Sequence, residues 1–329
     1  MSISTGKVKG VRIAGTGSYL PANVVTNQDL EARVETTDEW IVSHTGIRTR
    51  HLAAENESAS TMGAEAARRA LEMAGVAPEE VGTILVSTCS GDYANMPSTA
   101  CLLQHAVGAV NAAALDINAA CAGFSYGLAA GRAMCLTTGR PVLVVASEMM
   151  SRLVDWKDRA VCVLFGDGAG AALLVPSEED AMLDDVLGAD GSGWQAIVRD
   201  AGCRRSAEEN CHVAYMQMNG RQVFPFAVRA MENVIRRLAE RNEVALDQIA
   251  HIVPHQANLR ILDAVARHMN LPLERFAVNI ERVANTSSAS VPIMLDELNR
   301  GGKLKSGDLV VTVAFGAGLA YGGNLFRWL

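Results

Sequence analysis

No Cys-x-x-Cys pair occurs among the seven cysteines at 89, 101, 121, 135, 162, 203 and 211, and an odd number suits no closed disulfide framework. A reducing, cytoplasmic setting is expected. Cationic excess is also missing. Lys and Arg number 29 against 36 Asp and Glu, a net charge of −7. Nothing global therefore attracts nucleic acid or an anionic membrane, and an acidic partner has to be met by a local basic patch. Residues 1–15 contain lysines but no apolar segment before the first strand-like run, so no secretory signal is expected there. The stretch Tyr93–Leu115 has no Asp, Glu, Lys or Arg, yet Asn95, Pro97, Gln104, His105 and Asn111 interrupt it. It predicts a helix and a following strand rather than a membrane span.

What remains is a chain of 329 residues, 49% hydrophobic and 20% charged, enough for about two domain-sized units. Its two halves resemble each other. The first reads as a strand at Gly82–Ser87, a helix from Pro97, a strand at Ala113–Asn118, a helix opening near Cys121, and strands at Pro141–Ser147 and Ala169–Val175. The second reads as a strand at Ile249–Pro254, a helix at Asn258–Met269, a strand at Phe276–Ile280, a helix opening near Ser287, and strands at Asp308–Phe315 and Leu319–Arg327. An F-G-x-G turn precedes the last strand of each, beginning at Phe165 and Phe315. Shared order and spacing indicate duplication of a unit of about 150 residues, split as 1–176 and 177–329. Runs such as Val142–Ala146 require helices on both faces of the sheet, giving an α/β protein. Gly15–Ser60 and Gly188–Gly220 read as insertions, the second as a long functional loop.

Three side chains are candidates for chemistry. Cys121 stands where a strand gives way to a helix, and the helix N-terminus is expected to lower its thiol pKa. A buried structural cysteine is the ordinary alternative. It is accepted for the other cysteines except Cys89, which stands at a strand end. His255 follows the first strand of the second half. A metal pair with His251 is excluded, because residues four apart in a strand lie roughly 13 Å from each other. Asn285 falls at the strand-to-helix corner of the second half that corresponds to the Cys121 corner, although Asn there is also an ordinary helix cap. These three converge if the halves pack about a pseudo-twofold axis.

The segments Asp38–Arg48, Ala119–Phe124, Phe165–Ala171, Pro254–Ile261, Ala284–Pro292 and Phe315–Gly322, in that order, resemble the β-ketoacyl-acyl carrier protein synthase III family. The resemblance runs from about Val11 to Arg327. It implies a thiolase-like fold of two pseudo-symmetric βαβαβαββ halves in five αβαβα layers. It also implies a ping-pong condensation of an acyl-CoA primer with malonyl-acyl carrier protein that initiates fatty acid synthesis, with no metal and no cofactor. Cys121 would carry the acyl group, with the backbone N–H groups of Cys121 and Ala317 on the oxyanion. His255 and Asn285 would serve the decarboxylation. Trp40, Arg159 and Asn258 would contact CoA, and Met96 and Phe224 would border the acyl pocket. Arg260 and Arg267 would meet the acidic carrier protein, and Met96 would reach across a homodimer interface. His44 and Pro225 depart from the family pattern, each replacing a common cation.

Rival readings are weaker. Gly123–Gly127 matches the G-x-S-x-G of α/β-hydrolases, but Ser125 lies a turn into the helix while Cys121 holds the corner. A papain-like protease would share the order Cys121, His255, Asn285 but not the family's local signature. A specialised same-fold condensing enzyme or acyltransferase has the same residues. A non-catalytic partner subunit would be expected to have lost the cysteine.

Overall fold

The run Val142–Met149 is buried at every position, as a strand with helices over both faces must be. The computed structural model describes residues 8–94, 96–200 and 215–329. Its first part holds β1 (Gly10–Tyr19), β2 (Asn23–Thr26), α1 (Asn27–Glu31), α2 (Asp38–Thr45), β3 (Thr49–Leu52), α3 (Ala59–Ala74), β4 (Thr83–Ser87), α4 (Thr99–Val107), β5 (Ala113–Ile117), α5 (Gly123–Thr138), β6 (Val142–Met149) and β7 (Asp167–Ser177). There follow β8 (Met182–Ala189), β9 (Ile197–Val198), β10 (Gln217–Met218), α6 (Gly220–Arg241), β11 (Ile249–Pro254), α7 (Leu259–Met269), α8 (Ile280–Val283), α9 (Ser290–Arg300), β12 (Leu309–Phe315) and β13 (Ala320–Arg327).

A five-stranded sheet runs β1-β7-β6-β4-β5 and a four-stranded sheet runs β11-β12-β13-β8. The pairings repeat: β4 is parallel to β6 as β11 is to β12, and the next two pairings are antiparallel in both sheets. Helices α3 and α4 cover the outer face of the first sheet, α5 and α9 lie between the sheets, and α6 and α7 cover the second. This gives the five layers of an αβαβα sandwich. Its middle is a core in which Leu85 and Val144 of one sheet and Val253 and Phe326 of the other meet Phe124, Leu128 and Ile293.

Two expectations need correction. The first excursion is shorter than Gly15–Ser60, because β1 continues to Tyr19 in register with β7 and α3 opens at Ala59. No strand forms over Phe276–Ile280. Phe276 makes one parallel bridge to Ile252, and Ala277 N–H donates to Ile252 O at 2.8 Å. The buried Gln256 side chain then takes over: its Nε2 donates to Pro254 O and Ala277 O, both at 2.9 Å, and its Oε1 accepts from Asn279 N–H at 3.2 Å. With those groups satisfied, the chain is free to enter α8. Within the expected loop Gly188–Gly220, a 3-10 turn at Gly191–Ala196 and the antiparallel pair β9–β10 are seen. Residues 201–214, with Cys203 and Cys211, lie outside the described residues, as does Asn95.

Candidate active site

Beyond β5 the Asn118 side chain accepts the N–H of Ala120 at 3.1 Å. Ala120 adopts φ +46°, and a 3-10 turn over Ala120–Ala122 carries Cys121 into α5. The same device recurs in the second half. Asn285 Oδ1 accepts the N–H of Ser287 at 2.8 Å, Ser287 adopts φ +51°, and a 3-10 turn over Ser287–Ala289 leads into α9. By this match Cys121 corresponds to Ser288 and Asn285 to Asn118. The sequence reading found the right corner but equated Asn285 with Cys121, three residues out of register.

Each F-G-x-G turn lies against the opposite half's corner. Gly316 abuts Cys121, where an added Cβ would stand 2.6 Å from the Cys121 nitrogen. Phe165 bridges Asn285, and Asn285 N–H donates to Leu164 O at 3.0 Å while its C=O accepts from Gly166 at 3.1 Å. With Asn285 Oδ1 held by Ser287, the amide nitrogen is the end left for the cavity.

Electrostatics correct the expectation of a lowered thiol pKa. Burial pushes the Cys121 thiol up to about 12; the hydrogen bond to Ser287 Oγ at 3.4 Å opposes this, while the charge of Glu148 adds to it. Cys121 sits in the 3-10 turn, before α5 begins at Gly123, and desolvation outweighs what the helix end supplies. Burial also pushes His255 down to about 3, so its imidazole is neutral. The ring is placed by Ser290 Oγ, 2.7 Å from Nδ1, and by the edge of Phe315, while His255 N–H donates to Val313 O at 2.8 Å. The Cys121 thiol and the His255 imidazole are therefore both uncharged in the free protein.

Cys121, His255, Asn285 and Ala317 all line one cavity of about 1350 Å³, with Phe224 and Asn258 also in its wall. That is larger than a drug-sized ligand needs and suits a long, flexible one. Tyr93, Leu102 and, on β5, Leu115 also line the cavity. Trp40 stacks on His44, with ring centroids 4.4 Å apart, and the Arg159 guanidinium stands 5.0 Å from the Trp40 centroid. Both ends of the Asn258 amide are engaged: it caps α7 through Arg260 N–H at 2.9 Å and donates to His44 O at 3.1 Å. Arg260 is exposed, whereas Arg267 pairs with Asp263 on its own helix at 3.0 Å. Met96 is 85% exposed. Pro225 lies inside α6.

Ser125 is buried in α5, away from the corner, as the rejection of a hydrolase requires. His251 turns to Asp308 at 3.6 Å, a different partner from that of His255. The sequence reading missed Ser287 and Ser290, which read there as capping residues, and Glu148, which lies one residue past the strand expected at Pro141–Ser147. It left Cys89 open. Cys89 lines the cavity, and its thiol lies 3.4 and 3.5 Å from the Glu148 oxygens.

The likeness to known proteins is extensive. The family model for 3-oxoacyl-[acyl-carrier-protein] synthase III matches residues 115–191, and that for the C-terminal part of the same enzymes matches residues 239–328. A β-ketoacyl-[acyl-carrier-protein] synthase III of Caldanaerobacter subterraneus is 44% identical over 96% of this chain and 97% of its own. One from Clostridium acetobutylicum is 41% identical over 98% and 99%. The crystal structure of the Aquifex aeolicus synthase III superposes with a TM-score of 0.91 at 43% identity, covering 97% of this chain and all of that one. With the Cys121 corner, its matching partner at Asn285 and the thiolase-like layers in place, and with likeness over nearly the full length, the chain belongs to the β-ketoacyl-[acyl-carrier-protein] synthase III family.

Proposed function

We propose that Cys121 takes the acyl group from an acyl-CoA primer and that this acyl-enzyme condenses with malonyl-acyl carrier protein, the opening reaction of fatty acid synthesis. The observation that carries the reading is the convergence of Cys121, His255 and Asn285 on one cavity. The thiol keeps its proton until the thioester arrives, and that proton leaves with the CoA thiol. Backbone N–H groups of Cys121 and Ala317 hold the oxyanion, the close approach being allowed by Gly316. Loss of CO2 from the malonyl group makes an enolate, toward which the His255 ring and the Asn285 amide nitrogen present hydrogen bonds. The enolate carbon attacks the acyl thioester, and the released Cys121 sulfur takes up a proton. No step calls for a metal or a redox cofactor.

Trp40 and Arg159 are assigned to the adenine end of CoA, and Arg159 has to lift from the tryptophan to admit it. Asn258 shapes that wall through its links to His44 and Arg260. His44 supplies a stacking partner where the family commonly has a cation, and Pro225 supplies none. Docking of the carrier protein falls mainly to Arg260, since Arg267 is already paired. A homodimer in the cytoplasm fits the chain: β5 is the last strand of its sheet, and Leu115 (38%), Val110 (72%) and Met96 (85%) are exposed around it. Among the described residues no helix is long and apolar enough to cross a membrane. A partner there would close the cavity beside Leu115.

The test is intact and peptide mass spectrometry after exposure to a panel of acyl-CoAs, followed by malonyl-acyl carrier protein or malonyl-CoA. One acyl mass on the Cys121 peptide, discharged as a β-ketoacyl product, is expected. A label on Ser125, or discharge without a new carbon–carbon bond, would overturn the assignment.

A further inference from the structure

We propose that Ser287 is a further catalytic residue, whose hydroxyl donates to the Cys121 sulfur and holds the thiolate as it forms. The proposal rests on Cys121 being the nucleophile. Four observations lead to it. Ser287 Oγ lies 3.4 Å from Cys121 Sγ. Ser287 is fully buried and stands in the cavity wall. Its φ of +51° is a conformation an L-serine adopts only under constraint, and such residues gather at active sites. At the matching position of the other corner, Ala120 has the same backbone but no hydroxyl.

The direction of the bond follows from the neighbours. The hydroxyl also lies 3.7 Å from Cys89 Sγ, so two sulfurs compete for its proton. Cys89 is itself held against the Glu148 carboxylate, to which its S–H donates. Glu148 collects the Ser90 and Ser288 hydroxyls as well, at 2.6 and 2.7 Å. The nearer sulfur, Cys121, therefore receives the Ser287 proton. Its need is real, because the Glu148 charge disfavours a thiolate at Cys121 and a hydrogen bond to the sulfur offsets that. Ser287 also holds Asn285 Oδ1, but through its backbone N–H, which survives any side-chain change.

Ser287→Gly tests this without backbone strain, because glycine accepts the positive φ while the hydroxymethyl group is lost. Ser287→Ala serves as the second variant, with the melting temperature recorded for both. The primary readout is the rate of Cys121 alkylation by iodoacetamide against pH, which needs neither CoA nor a malonyl donor. The profile is expected to move up by about one pH unit, with a roughly tenfold loss of rate at fixed pH in at least one folded variant. Acylation by acyl-CoA should fall with it, and by more than malonyl decarboxylation does. An unchanged alkylation profile in the folded variants would overturn the proposal, as would equal losses in acylation and decarboxylation. If Cys121 took no acyl group even in the unaltered protein, the proposed function would fail while the alkylation result still stood.

Discussion

The two strand-to-helix corners share a backbone and differ in what it carries. Each has an asparagine capping the turn, a residue two positions on at positive φ, and a 3-10 turn feeding a helix between the sheets. In the first, the asparagine is exposed and the fourth residue is Cys121, to which the nucleophile's role is assigned. In the second, the asparagine is buried, and the fourth residue, Ser288, is turned away to Ser87 O and Glu148. The same backbone geometry thus occurs twice, and the two asparagines, both in the cavity wall, differ in burial. The lesson is that a repeated fold need not place its working side chains at repeated positions.

The strongest way to break this comparison is at the nucleophile. Cys121→Ala should abolish acyl-CoA labelling, while Ser125→Ala should retain it; intact mass after a short incubation decides. Next come the paired asparagines. Asn285→Ala should cut malonyl decarboxylation by about 10²-fold, as loss of a charge-stabilising donor does. Asn118→Ala, at an exposed turn, should cost about 1 kcal/mol of stability and leave decarboxylation within about threefold. Equal losses in both would mean that the asparagines act only as caps.

The F-G-x-G turns sharpen the contrast. Gly316→Ala would push against the Cys121 nitrogen, and a misplacement of that kind should lower acylation by roughly ten- to a hundredfold. Gly166→Ala meets Val283 O and the Arg50 side chain instead, so its loss should appear in decarboxylation through Asn285. Single-turnover measurement of the two half-reactions separates the cases.

A gentler probe is pH. The His255 pKa is depressed to about 3, so between its ordinary value near 6.5 and 3 the unfolded chain binds a proton that the folded protein refuses. Its contribution to stability is complete above pH 6.5 and is lost on acidification, at up to about 1.4 kcal/mol per pH unit. His255→Gln should therefore show a flatter fall of melting temperature between pH 6 and 4. The smallest effect expected is at the surface. Arg260→Glu should raise the apparent KM for malonyl-acyl carrier protein a few-fold at low salt, more than Arg267→Glu does, and added salt should shrink the difference.

Much of the layer order was legible from apolar runs and turn residues, because a strand buried on both faces and an F-G-x-G turn are local signals. The strand expected at Phe276–Ile280 was not, because what replaces it is a side chain twenty residues upstream. The corner at Cys121 was legible as a strand-to-helix junction, but its thiol pKa was not. That value depends on burial beneath the opposite half and on Glu148 of β6, two strands from β5 in the sheet, neither of which leaves a mark in the local sequence. Ser287 was hidden for a similar reason: a serine after Asn-Thr reads as a cap, and only tertiary contact shows its hydroxyl beside a sulfur.

The Gln256 amide has a further effect at the rim of the second sheet. There it ties Pro254 O at the end of β11 to Ala277 O and the Asn279 N–H, so the chain beyond Phe276 is held against that edge without adding a strand to it. The equivalent edge of the first sheet ends in β5 with its outer row open. Of the two matching edges, one is thus joined to the chain that follows it through a side chain, and the other has no strand beyond it.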